Sequence, residues 1–157
     1  MKITLLLVGK TAFPYISDGI SLYEKRLGFY INYNKIEIPE LKGVSALREE
    51  QIKEKEGELI LKNIKPTDDV ILLDERGDMF TSENWARHLE KKITYSGKDI
   101  IFIIGGAYGF STLVYNRANE MMSLSKMTFS HQIIRVIFLE QLYRAFTIIK
   151  GEPYHHR

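Results

Sequence analysis

Ile100-Ile101-Phe102-Ile103-Ile104-Gly105-Gly106-Ala107-Tyr108-Gly109 decides how the whole chain reads. An apolar run rich in β-branched residues and closed by glycines describes a strand buried on both faces, as in a parallel sheet. The glycines let backbone approach a neighbour closely or take φ > 0. Downstream, Ser123-Leu124-Ser125-Lys126-Met127-Thr128 leads into His131-Gln132-Ile133-Ile134-Arg135-Val136, and Glu140-Gln141-Leu142-Tyr143-Arg144 completes the segment. A ligand-binding turn and a plain βα turn followed by a buried helix both fit these residues.

Strand and helix signals alternate on the N-terminal side. Lys2–Val8 reads as a buried strand, and Ala12–Leu27 as an amphipathic helix with Ile16, Ile20, Tyr23 and Leu27 on one stripe, ended by Gly28. Tyr30–Ile38 alternates as a second strand and stops at Pro39. Ser45 is placed to cap a charged helix reaching Asn63, interrupted by Gly57. Val70–Leu73 is a third strand, closed by Asp74-Glu75-Arg76-Gly77, and Thr81 or Ser82 caps a helix to Tyr95. The alternation predicts one α/β domain over residues 1–157, a parallel sheet in an α/β/α arrangement. Ligands of such sheets sit at the carboxyl ends of the strands, where Leu73-Asp74, Gly105-Gly106 and the 123–128 segment converge.

The last helix, Gln132–Ile149, has almost no polar face. A helix apolar nearly all round needs two surfaces to bury it. The sheet is one; the same helix of a second subunit about a two-fold axis is the expected other, with a central helix covered on both sides as the alternative.

Composition bounds the function. At 157 residues, 45% hydrophobic and 27% charged, the chain suits one soluble domain with a sizeable core. It contains no cysteine, which excludes disulfides and thiolate chemistry and suits a reducing cytoplasm. The apolar run at Ile3–Val8 is too short for a signal peptide, and charges break up the longest apolar segment, so a cytoplasmic protein without a membrane span is expected. Net charge is +2, with six basic against three acidic residues from Ile100 onward, which permits phosphate contacts without demanding them.

Several chemistries are excluded by spacing. Gly9-Lys10-Thr11 resembles the end of a P-loop, but Thr4 stands where its first glycine belongs. The glycine fingerprint of a dinucleotide fold is missing after the first strand, although Asp74 has the place of a ribose-binding acid. The four histidines show no metal-ligand spacing, so no metal is expected, and no serine sits in a nucleophile elbow. His88 reads as a surface residue, and His131 as a capping or structural one. Arg135 and Arg144 lie in otherwise apolar helix and call for a carboxylate or phosphate partner; Glu140 is placed i, i+4 from Arg144.

Taken together, Ile103-Ile104-Gly105-Gly106-x-x-Gly109-Phe110-Ser111, Ser123-Leu124-Ser125-x-Met127-Thr128-x-x-His131-x-x-x-Arg135-Val136, Glu140-Gln141-Leu142-Tyr143-Arg144-Ala145 and Pro153-Tyr154-His155 resemble the large-subunit rRNA pseudouridine N3-methyltransferases, members of the trefoil-knotted SPOUT methyltransferases. The resemblance runs from Met1 to the C-terminus. It implies a deep C-terminal knot, an exception to the rule against threaded chains, and a homodimer. It implies S-adenosylmethionine bound in the knot by Leu73, Gly105, Gly106, Ser123, Leu124, Ser125, Lys126, Met127 and Thr128. Arg144, Tyr154 and His155 are the residues it points to for positioning and activating the base, with the tail contributed by the second subunit. It further implies methylation of N3 of a pseudouridine in large-subunit (23S) rRNA on the assembled ribosome. A SPOUT enzyme acting on another RNA such as tRNA, and a non-enzymatic ribosome-binding factor, are the competing readings. Two departures stand out: Ala107-Tyr108 replaces a Pro-Glu pair, and His156 is inserted before Arg157.

Overall fold

The computed structural model describes residues 1–156; Arg157, the residue that follows the inserted His156, lies outside them. Its elements are β1 (Lys2–Val8), α1 (Pro14–Leu27), β2 (Asn32–Ile38), α2 (Glu49–Lys62), β3 (Asp69–Met79), α3 (Ser82–Lys91), β4 (Ile100–Ile104), α4 (Thr112–Arg117), β5 (Glu120–Ser123) and α5 (Ile133–Ile149). The strands form one sheet in the order β2-β1-β4-β3-β5, every pair parallel. Parallel strands buried on both faces need apolar side chains at every position, and β4 is buried at all five.

Alternate strand residues feed two cores, as a period of two requires. Ile3, Leu5, Leu7, Ile71, Phe102 and Ile104 face α1, α3 and α5. Leu6, Val8, Leu72, Ile101 and Ile103 face α2 and α4. The first core centres on Phe102, Phe138 and Trp85, with ring centroids 4.8 to 6.1 Å apart, a spacing that favours tilted aromatic pairs. Helix α5 lies between α1 and α3 on the sheet, so neighbours flank it on both sides. Its Ile133, Ile137, Tyr143 and Ile149 remain only half-buried.

The structure departs from the sequence reading in several places. Helix α2 starts at Glu49, not after Ser45, because the Gln51 side chain accepts the Arg48 N–H (3.0 Å) and caps the first turn there. Helix α1 begins two residues late, at Pro14, the position that proline favours. Strand β2 starts at Asn32, since Tyr30 and Ile31 continue hydrogen bonding to the end of α1. Gly57 leaves α2 unbroken and instead lets it approach Ser111 closely. The helix read as running to Tyr95 is α3, capped by Thr81, followed by a π-helical turn at Lys92–Ser96. Helix α4 and strand β5, six and four residues long, have no counterpart among the expected elements.

Asp74-Glu75-Arg76-Gly77 does not close β3. Leu73 and Asp78 both pair with Met122, so the four residues between them are extruded from the sheet as a wide bulge. Gly77 brings the bulge back: a Cβ there would stand 2.5 Å from the Met122 backbone nitrogen, which only glycine avoids.

Candidate functional site

The ends of three neighbouring strands form a floor. Register places Ile104 beside Leu73 and Leu73 beside Met122, so these side chains lie in a row at the carboxyl edge of the sheet. Three loops rise from it: the 74–77 bulge, the glycine turn after β4 and the segment after β5. They enclose a cavity of about 810 Å³, within the range of small-molecule sites. Leu73, Gly105, Gly106, Ser123, Leu124, Ser125, Met127 and Thr128 all line it; Lys126, also expected there, is exposed and does not.

Each loop is held by its own residues. The Ser123 hydroxyl donates to the Ser125 carbonyl (2.8 Å), and the Ser125 hydroxyl accepts the Met127 N–H (2.9 Å). These serines therefore offer a ligand a fixed backbone. The Thr128 hydroxyl reaches Glu75 (3.3 Å), tying this segment to the bulge. After β4, the Gly109 N–H donates to the Gly106 carbonyl (3.2 Å), and Gly109 takes φ +85°. Behind the turn, a Cβ on Gly106 would stand 2.9 Å from the Glu56 carboxylate, and one on Gly105 would stand 3.0 Å from the Phe110 ring.

Asp74 stands at the strand end as expected, while Tyr115 beside it and Glu56 behind the glycine turn have no signal in the sequence. Asp74 accepts the Tyr115 hydroxyl and the Arg76 N–H (2.9 Å), and Arg76 lies over the Tyr115 ring at 4.7 Å. Burial opposes the Asp74 charge, but the Tyr115 hydroxyl and Arg76 outweigh it and hold the carboxyl below its ordinary range. Glu56 is the opposite case: one carboxylate oxygen is buried with no hydrogen-bond partner among the described residues, and burial, then Glu40, pushes its pKa up. Tyr115 lies on a helix too short to show a period; Glu56 sat within a charged run that reads as a solvated face.

Arg135 has neither the carboxylate nor the phosphate its position suggested. Fully buried, it donates to the carbonyls of Val8 (2.9 Å), Gly9 (3.1 Å) and His131 (3.0 Å) and to the Thr11 hydroxyl (3.0 Å). Beside it, Gln132 accepts the Ala12 N–H (2.8 Å) and donates to the Lys10 carbonyl (3.0 Å). The P-loop-like residues thus turn carbonyls toward α5 and serve to dock its first turn. Ile134 and His131 in that region line the cavity.

Arg144, Tyr154 and His155 come together elsewhere. Glu140 accepts Arg144 through Nε (3.0 Å) and Nη2 (2.5 Å), and the Tyr154 hydroxyl (3.2 Å). Arg144 Nη1 lies 3.0 Å from His155 Nδ1, and His155 Nε2 lies 3.0 Å from Glu83. Arginine can only donate, so Nδ1 is the acceptor and the Nε2–H tautomer donates to Glu83. Burial, with hydrogen bonds to Tyr23 and Glu140, raises the Tyr154 hydroxyl to about 12, so it is a donor at neutral pH. Ten residues of α5 separate Ile134 from Arg144, about 15 Å at the helical rise. Within one chain, then, the cavity and this cluster are distinct. His88, read as a surface residue, is half-buried against Glu120 (2.9 Å) and stacked on Phe80. Among the described residues no cluster of histidine and carboxylate side chains could hold a metal, and no helix is long and apolar enough to cross a membrane.

Comparison with known proteins decides the family. The model for predicted SPOUT methyltransferases matches residues 1–155. The chain belongs to the SPOUT methyltransferases. It is 53% identical over 156 residues to a protein of Parabacteroides distasonis named ribosomal RNA large subunit methyltransferase H, with 99% of both chains covered. A protein of the same name from Flavobacterium johnsoniae is 50% identical over 157 residues, with both chains covered in full. Among solved structures, the SpoU methyltransferase AviRb of Streptomyces viridochromogenes, in complex with AdoMet, aligns at a TM-score of 0.46 and 12% identity, covering 95% of this chain and 58% of that one.

Proposed function

We propose that this SPOUT protein methylates N3 of a pseudouridine in large-subunit (23S) ribosomal RNA, using S-adenosylmethionine held at the carboxyl edge of its sheet. The observation that carries the proposal is that eight of the nine residues expected to hold the cofactor line one cavity, in a chain about half identical to proteins named for this class of reaction. The cavity suits the cofactor. Its floor of Ile104, Leu73 and Met122 can take a flat apolar group, and its walls present backbone from loops already held in place. Bound there, the cofactor supplies an electrophilic methyl group on a sulfonium. What the chain must then do is hold N3 in line with that methyl and let the N3 proton leave, to a side chain or to water.

For that second task the reading assigns Arg144, Tyr154 and His155. Arg144, with N–H groups left over after Glu140 and His155, fits a donor that orients the base, while Tyr154, bonded to Glu140, and His155, with its Nδ1 lone pair turned to Arg144, buttress it. The cluster reaches a cavity through a homodimer: antiparallel packing of the half-exposed apolar residues of two α5 helices would bring one subunit's tail to its partner's cavity. A knotted C-terminal segment is supported by the chain path, since the chain leaves β5 at the sheet edge and crosses back to dock Arg135 on the end of β1.

Calorimetric titration of S-adenosylmethionine into wild type and Gly106→Val tests the cofactor site: binding that the variant loses is expected, and binding unaffected by the valine would overturn it. Mixing Gly106→Val protomers with protomers cut before Pro153 tests the dimer. Each is inactive alone, and the mixture regains activity if tail and cavity act across the interface. A methylase active on tRNA but not ribosomes would favour the second reading instead.

A further inference from the structure

The glycine turn carries an aromatic side chain with nothing to hold. Tyr108 is 47% exposed on the lining of the cavity and has no hydrogen bond or ring partner among the described residues. Of the other phenylalanine and tyrosine rings lining the cavity, Phe110 is buried, Tyr115 is tied to Asp74 and Arg76, and Phe129 is half-buried beyond the tight turn. Ala107 and Tyr108 are the two corner residues of a tight turn closed by the Gly109 to Gly106 hydrogen bond and backed by Glu56. A turn fixed at both ends presents its corner side chain at a defined place. Across the same cavity Met127, 76% exposed, leaves an unbranched thioether at the mouth.

An exposed aromatic on a rigid turn has one obvious partner in a protein that works on RNA. Unpaired bases are recognised by stacking on aromatic faces, which is tolerant of sequence and adds little entropy cost when the ring is already placed. With the apolar floor committed to the cofactor, the mouth is where an incoming base arrives. We infer that Tyr108 is the stacking platform for an unpaired RNA base at the cavity mouth, the target or its immediate neighbour, and so a substrate-positioning residue. The assignment rests on the reading of the previous section.

Tyr108→Ala and Tyr108→Phe test it, since a half-exposed side chain without bonds can be cut back without unfolding the domain. Methylation of 70S ribosomes, calorimetric binding of S-adenosylmethionine, and filter binding of a 23S rRNA stem-loop with S-adenosylhomocysteine present are measured for each. For Tyr108→Ala a fall of about tenfold to a hundredfold in kcat/KM, mostly in KM, is expected from the loss of one stacked base. Cofactor affinity stays within about twofold, and Tyr108→Phe, which keeps the face, recovers most of the loss. An alanine variant that binds cofactor as poorly as it binds RNA places the ring in the cofactor site and overturns the inference. So does an alanine variant with unchanged RNA binding, or a phenylalanine variant as defective as alanine. Wild type that binds the stem-loop through Tyr108 but transfers no methyl would overturn the proposed reaction and leave the platform standing; full turnover with a silent Tyr108→Ala would do the reverse.

Discussion

Replacing Arg135 by methionine removes the guanidinium while keeping an apolar stem of similar length. Four hydrogen bonds disappear, and two of them, to the carbonyls of Val8 and Gly9, are wholly buried. Hydrogen bonds from a charged donor contribute about 1.5 to 3 kcal/mol each, so the two buried ones alone give at least about 3 kcal/mol. The part-buried bonds to His131 and Thr11 add to this, while relief from burying a charge subtracts. Glu37 and Glu40 partly offset that burial, which otherwise disfavours the charged form. The expected result is a urea midpoint lowered by an amount corresponding to about 3 kcal/mol at unchanged m-value. Cofactor affinity falls as well, because the same bonds seat the end of α5 that lines the cavity. Arg135→Lys, with fewer donors on a single nitrogen, falls between. A methionine variant within about 1 kcal/mol of wild type would refute the idea that Arg135 clamps β1 to α5.

Three further outcomes are expected. Glu56→Gln stabilises the protein at neutral pH: the folded state raises this carboxyl's pKa, so wild type loses stability as pH rises through that value, and the gap between the two proteins in urea closes as pH falls below the ordinary carboxylate range. Gly106→Ala weakens cofactor binding, and Glu56→Ala in the same chain restores part of it, since the added Cβ would meet that carboxylate at 2.9 Å; titration of both variants shows whether the clash is the cause. Phe138→Ala costs about 3 to 5 kcal/mol in urea unfolding, because the ring is fully buried against Phe102 and Trp85.

The centre of the sheet was legible because β1 and β4 are apolar runs that glycines end, and both have the expected bounds; the loops that border the cavity follow strand ends. Short elements were not, since α4 and β5 span too few residues for a period to show. The 74–77 bulge was hidden for another reason. Asp-Glu-Arg-Gly has the composition of a turn, and only pairing of Asp78 with Met122 across the sheet shows that the strand resumes. Arg135 reads as a cation that needs a carboxylate or phosphate, but its partners include backbone carbonyls of Val8 and Gly9, over a hundred positions away, which leave no trace in local sequence. The sequence already places the tail cluster with a second subunit's cavity, and the stretch of helix between Ile134 and Arg144 separates the two within one chain.

Labelled S-adenosylmethionine, offered with ribosomes lacking the modification, tests the central claim most directly. The account predicts label in large-subunit RNA alone, on N3 of a single pseudouridine, dependent on intact Gly106 and on the tail. Label in tRNA, or none on ribosomes from a protein that binds the cofactor, would contradict it.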